Sequence, residues 1–419
     1  MRVLIIAGGT AVVAALSGLA ITQAPLGTPL FYAFAAVPCG VYAVLLPRVL
    51  AEPDAPGRLL HLALLFAVLF RIPLAAAPVG ADNDMVRYLY DGRVQRLGLN
   101  PFTIVPADPA LAWTHTDETR RMPSIRSRTP YPAVAQLFFR LVATVRETPR
   151  AMKGALVLCD LLTIVVLLQW LRDTKRSRWL ALAYAWNPLV ILEVAHSGHI
   201  DALGALWIAL SAWMLGTGRG MRAAAAFVIA VATKLLPIVL IPLYWRRVRV
   251  RDVVLAAALL AVCYLPYASA GRVALGNVPN VVEGIRFNGP VFHVLARHLS
   301  PFVAAAFAIG VGLAIAGWMR MTRPANAPDA WAWPMAASVA CAPVIYPWYL
   351  LYFTPFLFTR RTIPLVVWTY SILPVYLVWA VPAYRRPWVV PTGVLMLEYG
   401  AVGAALAIMT VRRRRTEAG

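Results

Sequence analysis

The stretch Asp82-Asn-Asp-Met-Val-Arg-Tyr-Leu-Tyr-Asp-Gly92 gathers three carboxylates, a guanidinium and two phenols into a short segment. If Asp84 opens a helix, Arg87, Tyr88 and Asp91 follow at i+3, i+4 and i+7 and share its face. A carboxylate, a cation and a phenol so placed can bind a sugar and take a proton from one of its hydroxyls. The plainer reading is an N-cap aspartate followed by a helix-stabilising ion pair. Farther on, His196, His199 and Asp201 lie close together at a helix start. Spacings of three and two do not put all three on one helical face, so capping and contacts to a sugar or acceptor are the better reading. The alternative is a divalent cation held among Asp82, Asp84, His196 and His199.

Two cations stand in apolar surroundings. Arg71 precedes Asp82 by 11 positions within an apolar run, where an unpaired guanidinium is costly. Lys234 interrupts another apolar run three residues before Pro237. Either could meet an anion such as a phosphate. A backbone carbonyl or Asp160 is an equally good partner for Lys234.

The elements that must position these groups are membrane helices. Hydrophobic residues make up 61% of the chain and charged residues 14%, with a mean hydropathy of +0.69, too little polar surface for a protein dissolved in water. Continuously apolar runs of about 17–25 residues recur from end to end, the length a helix needs to cross a bilayer, and no alternating barrel pattern replaces them. The expected fold is all-α, a polytopic transmembrane bundle of about 12 spans plus one broken or re-entrant segment. Eight of the spans fall near Val3–Ile21, Leu30–Leu46, Leu59–Val79, Ala151–Leu171, Val253–Ala268, Pro301–Trp318, Thr362–Val381 and Val389–Val411, and four near Trp179–Ala195, Ile200–Leu215, Ala330–Ile345 and Trp348–Phe358. The cysteines Cys39, Cys159, Cys263 and Cys341 sit singly in apolar segments, as small hydrophobes.

A net charge of +21 does not imply nucleic acid here, because the arginines cluster in short loops between spans. With a cytoplasmic N-terminus, the loops at Arg48–Arg58, Arg172–Arg178, Arg219–Arg222, Arg320–Arg323, Arg360–Arg361 and Arg412–Arg415 all fall inside. A single crossing by Ala223–Tyr244 would invert everything after it, so that segment must break, at Lys234 and Pro237. Residues 80–150 and 270–300 then lie outside, the first as a large loop with juxtamembrane helices.

In order along the chain, the Asp82–Gly92 segment, Arg93–Phe102, Tyr131–Phe138, Trp186-Asn-Pro188, Ser197–Gly204, Thr233–Pro237, Arg286-Phe-Asn-Gly289 and Tyr346–Leu351 resemble the C-type superfamily of membrane glycosyltransferases. The likeness is greatest to the polyprenol-phosphate-mannose-dependent mannosyltransferases. It runs from about Leu59 onward and leaves out the first two spans. The expected organisation is one integral membrane domain over 1–419: two extra spans in 1–58, a catalytic-module-like part in 59–300 and C-terminal spans in 301–419.

The resemblance implies an inverting transfer of a sugar, mannose by the nearest likeness, from a polyprenyl-phosphate donor to a glycan or glycolipid acceptor at the non-cytoplasmic face. An aspartate of the first outer loop would act as base. Asn83 stands between Asp82 and Asp84 where relatives carry closer acids; register to Arg87-Tyr88 favours Asp84, with Asp82 second. The donor phosphate and sugar would be met by Arg71, Arg87, Tyr88, Asp91, His199, Asp201, Lys234, Arg286, Asn288, Trp348 and Tyr349. Some relatives use a divalent cation; no other cofactor is implied. The partners expected are donor, acceptor and membrane lipids, with no nucleic acid. Richness in Ala, Arg and Pro suits a bacterial plasma membrane with a periplasmic or extracellular active face. A transporter or flippase is the competing class; it would show paired halves with matching interrupted helices, whereas the sequence has a single interrupted segment and one large acid-bearing loop.

Overall fold

The computed structural model describes residues 1–52, 56–78, 84–122, 124–270 and 276–418. The described residues form helices joined by turns, with no strand among them beyond an isolated parallel bridge between Phe287 and Val344. Among the described residues eight helices are long and apolar enough to cross a membrane: Leu4–Thr22, Pro29–Leu50, Gly57–Ala76, Pro149–Asp173, Val250–Ser269, Pro301–Thr322, Arg360–Ala380 and Thr392–Val411. Each coincides with an expected span.

The other four expected spans are shorter, and two of them are broken. Trp179–Ala195 is a 3-10 turn at Arg178–Ala181, a turn of α-helix at Leu182–Ala185, and Pro188–Ser197 beyond an Asn187 cap. Ile200–Leu215 is the helix Asp201–Gly216, Ala330–Ile345 is Pro328–Ala340, and Trp348–Phe358 is two 3-10 pieces, Pro347–Tyr352 and Thr354–Phe356. Residues 179–206 are buried without exception. Protein rather than lipid surrounds this backbone, so neighbouring groups can satisfy it where the helix stops, which a lipid-facing span does not permit. The long spans Val250–Ser269 and Thr392–Val411 instead form the rim, with most of their surface open.

The segment between Arg219 and Trp245 is a hairpin within the bundle. The helix Gly220–Thr233 ends where Lys234 turns extended, and a 3-10 helix, Leu236–Tyr244, runs back. Both ends return to one level: a Cβ on Gly220 would stand 3.0 Å from the Asp252 carboxylate and 3.5 Å from the Arg247 carbonyl. Ser211 ties the two arms, donating to the Ala223 carbonyl at 2.6 Å and lying 2.5 Å from the Tyr244 hydroxyl. Fourteen residues of helix rise only about 21 Å, short of a full crossing. The segment is re-entrant, with Lys234 at its tip, and the arginines on both sides of it stay on one face.

The first loop is a folded cap. Its helix Asp84–Arg96 packs against Ala133–Val145 so closely that a Cβ on Gly92 would lie 2.5 Å from the Phe139 carbonyl. Tyr90 stacks on His115, and Arg93 and Arg96 both reach Glu147. The opposite end of the bundle carries the basic turns, cross-linked by Arg176–Glu52, Arg323–Asp329 and the Arg247 bond to the Arg323 carbonyl.

Candidate active site

Lys234 and Asp201 meet where the hairpin tip reaches the end of the bundle that bears the first loop. Lys234 Nζ lies 2.6 Å from Asp201 Oδ1 and 3.6 Å from the centre of the Tyr349 ring. Antiparallel packing of Asp201–Gly216 on Gly220–Thr233 makes this pairing: the start of one helix faces the end of the other. The charge of Asp84, at the first turn of the loop helix, acts on both Lys234 and Tyr349. Asp201 is 1% exposed, and its Oδ2 and the Tyr352 hydroxyl have no hydrogen-bond partner among the described residues. Tyr352 reaches this position because residue 204 is glycine; a Cβ there would lie 2.1 Å from its hydroxyl.

Beside this pair stands an aromatic wall. His199 stacks on Trp348 at 4.0 Å and Trp348 on Tyr346 at 4.4 Å, while His199 Nδ1 lies 2.8 Å from the Glu193 carboxylate. Tyr88, stacked on Phe139, accepts the Ile200 amide at 3.4 Å, so the loop helix is pinned to the turn that carries His199 and Asp201. His196 is buried against Phe31. Among the described residues no three His, Cys, Asp or Glu side chains converge as metal ligands. Asp82 lies outside the described residues.

The structure distributes the remaining sequence candidates away from this cluster. Arg87 and Asp91 form the i,i+4 ion pair of the plainer reading, at 2.8 Å, and Gln136 donates to the other Asp91 oxygen. Arg87 also donates to the Ser124 and Ser127 carbonyls. These two residues hold the cap together. Arg71 is 1% exposed; its guanidinium is paired with Asp160 and donates to the Ala67 and Ala185 carbonyls. That leaves Asp160 as the partner of Arg71, and Asp201 rather than Asp160 as the partner of Lys234. Arg286 folds back on the Val282 and Glu283 carbonyls over the Phe292 ring. Asn288 donates to Glu398 at 3.0 Å and to the Ile345 carbonyl, fastening its loop to the last helix.

Two ionisable residues of this region escape a reading of the sequence. Lys153 is fully buried and donates to the Leu74 and Ala77 carbonyls, capping the span that leads into the first loop. Glu398 accepts from Trp368 and Asn288. The signal for each is a lone charge in an apolar run, the same signal that singles out Arg71 and Lys234.

Fold and site together define a polytopic, all-helical membrane protein with an acid–lysine cluster and an aromatic wall buried at one end. No protein-family model and no curated protein matches the chain. Among solved structures, that of ArnT from Cupriavidus metallidurans bound to undecaprenyl phosphate is similar over 86% of this chain and 73% of that one, with 17% identity and a TM-score of 0.49.

Proposed function

We propose that the chain is a glycosyltransferase that moves a sugar, mannose in the first instance, from a polyprenyl-phosphate donor to a hydroxyl of a glycan or glycolipid acceptor, with inversion. The observation that carries this reading is the Lys234–Asp201 pair at the tip of the re-entrant hairpin, opposite the arginine-rich turns, with Asp84 at the start of the overlying loop helix and near enough for its charge to bear on Lys234. A donor whose tail lies in the bilayer brings its phosphate to about this depth. The acceptor comes from the aqueous side.

In this mechanism the acceptor hydroxyl gives its proton to Asp84 as its oxygen attacks the anomeric carbon. The bond from that carbon to the phosphate oxygen breaks on the opposite side, and the electron pair leaves with the lipid phosphate. Lys234 is the cation available to the departing phosphate at the cluster. Asp201 holds the ammonium in place, and its second oxygen is free to accept from a sugar hydroxyl. Burying these groups beside Tyr349 and Trp348 lowers the local dielectric, which strengthens the ammonium–phosphate attraction. Arg71, Arg87 and Asp91 serve as scaffold. By the distribution of arginines, the active face is the non-cytoplasmic one, and richness in Ala, Arg and Pro suits a bacterial plasma membrane.

Re-entrant hairpins also serve transporters, so the deciding experiment must read covalent transfer. Purified protein in nanodiscs, given polyprenyl-phosphate-[14C]mannose and a lipid-glycan extract, should release polyprenyl phosphate and label the acceptor. Labelling from a nucleotide sugar alone, or movement of intact donor across the bilayer without transfer, would overturn the proposal.

A further inference from the structure

At the arginine-rich end, remote from the acid–lysine cluster, three turns border an open cavity of about 410 Å³ lined by Thr174, Arg176, Asn326, Asp329, Arg360 and Arg361 among others. We infer that this cavity is a binding site for a phosphate ester, in the first place the headgroup of an anionic phospholipid.

Charge is the first argument. Arg176, Arg360 and Arg361 line the cavity with three positive charges and Asp329 with one negative one, a surplus of two, and behind the lining Glu52 pairs with Arg176 and Arg323 with Asp329, which leaves that surplus unchanged. Arg176 is committed to Glu52 at 3.0 Å, while Arg323 and Arg361 share Asp329 at 3.3 and 3.6 Å. Arg360 is exposed and enters no ion pair among the described residues. Two loosely shared guanidinium groups and one uncommitted one suit an anion that brings more than one acceptor oxygen.

Preformation is the second. Trp331 donates to the Ala325 carbonyl at 2.9 Å and Trp333 to the Arg361 carbonyl at 3.2 Å, fixing the turns on two sides of the cavity. Thr362 closes the Thr359 turn with a 2.8 Å bond, and Phe358 lies under the Arg176 guanidinium at 5.4 Å. Little has to move for a ligand to bind.

Depth selects the source. The span Pro149–Asp173 ends at this cavity and the span Arg360–Ala380 begins there, so the opening lies at headgroup level. A basic pocket between helix ends at that level recognises anionic lipid headgroups, and each arginine contributes a factor of about five in affinity.

The full-length protein, purified in dodecylmaltoside, is titrated separately with phosphatidylglycerol, phosphatidylcholine and inorganic phosphate. Bound lipid is read by native mass spectrometry and stabilisation by thermal melting. Phosphatidylglycerol should be retained over phosphatidylcholine, and the Arg360→Gln/Arg361→Gln variant should lose at least about fivefold in that retention. Arg385→Gln/Arg386→Gln, on a separate exposed turn, should not. Arg360→Gln alone, at a residue with no ion pair to lose, repeats the test should the double variant fold poorly. Stabilisation by inorganic phosphate equal to that by phosphatidylglycerol, lost in the Arg360 variants, would keep the anion site and make its ligand a soluble phosphate ester. Equal retention of both lipids with no effect of phosphate, or undiminished phosphatidylglycerol binding by the variants, would overturn the site.

Discussion

Breaking the Asp201–Lys234 pair from its two sides should have unequal consequences. Asp201 is 1% exposed on its side chain and Lys234 is 21% exposed. Lys234→Met therefore strands a carboxylate with almost no access to water, which costs about 3–5 kcal/mol. Asp201→Asn leaves an ammonium that still reaches water in part and still faces the Tyr349 ring at 3.6 Å. Its cost should be smaller, about 1–3 kcal/mol, as for a lost charged hydrogen bond. The double variant removes both charges and should fall within about 1 kcal/mol of wild type, because a buried ion pair contributes little net stability once its desolvation is counted. Equilibrium unfolding in mixed dodecylmaltoside–SDS micelles gives all three values, and a transfer assay on the same samples separates stability from chemistry. Both single variants and the stable double variant should be inactive if Lys234 meets the phosphate. Additive costs, or a Lys234→Met cost no greater than that of Asp201→Asn, would refute the electrostatic reasoning; an active double variant would refute the role in transfer.

Three further expectations follow from other parts of the structure. Arg71→Met strands the buried Asp160 and should destabilise by about 3–5 kcal/mol while turnover per folded molecule holds, measured by unfolding and transfer together; intact stability with lost turnover would return Arg71 to the phosphate. Gly27 has φ +80, and a Cβ there would lie 2.0 Å from the Tyr376 carbonyl, so Gly27→Ala should lower the melting temperature by at least several degrees, and an unchanged value would contradict the packing. Ser124 is exposed on the first loop; Ser124→Cys should react with an impermeant maleimide in intact cells, and reaction only after lysis would invert the proposed orientation.

What the sequence disclosed, and what it did not, divides along the line between lipid and protein as surroundings. The eight long spans were legible because a helix in lipid must be continuous and apolar. Trp179–Ala195 and Trp348–Phe358 read as spans by hydropathy, yet they are short pieces because protein covers them and supplies what their backbones lack. The break at Lys234 was legible from a lysine and a proline in an apolar run. Its partner was not, since the Asp201 contact depends on how two helices register across a re-entrant hairpin. Arg87–Asp91 could be read as a pair from i,i+4 spacing alone. The Asn288–Glu398 bond joins residues 110 positions apart, and no local pattern encodes it.

In the proposed reaction Asp84 takes the acceptor proton beside the Lys234–Asp201 pair. Single-turnover transfer from polyprenyl-phosphate-mannose by Asp84→Asn, run beside wild type and Asp91→Asn, tests it most directly. Asp84→Asn should insert, fold and bind donor as wild type does, while the transfer rate falls by about 10²–10⁴, the range for a lost general base. Asp91→Asn should act on stability through its bonds to Arg87 and Gln136 and leave the rate per folded molecule nearly intact. An Asp84→Asn variant that keeps more than about a tenth of the wild-type rate would contradict the account.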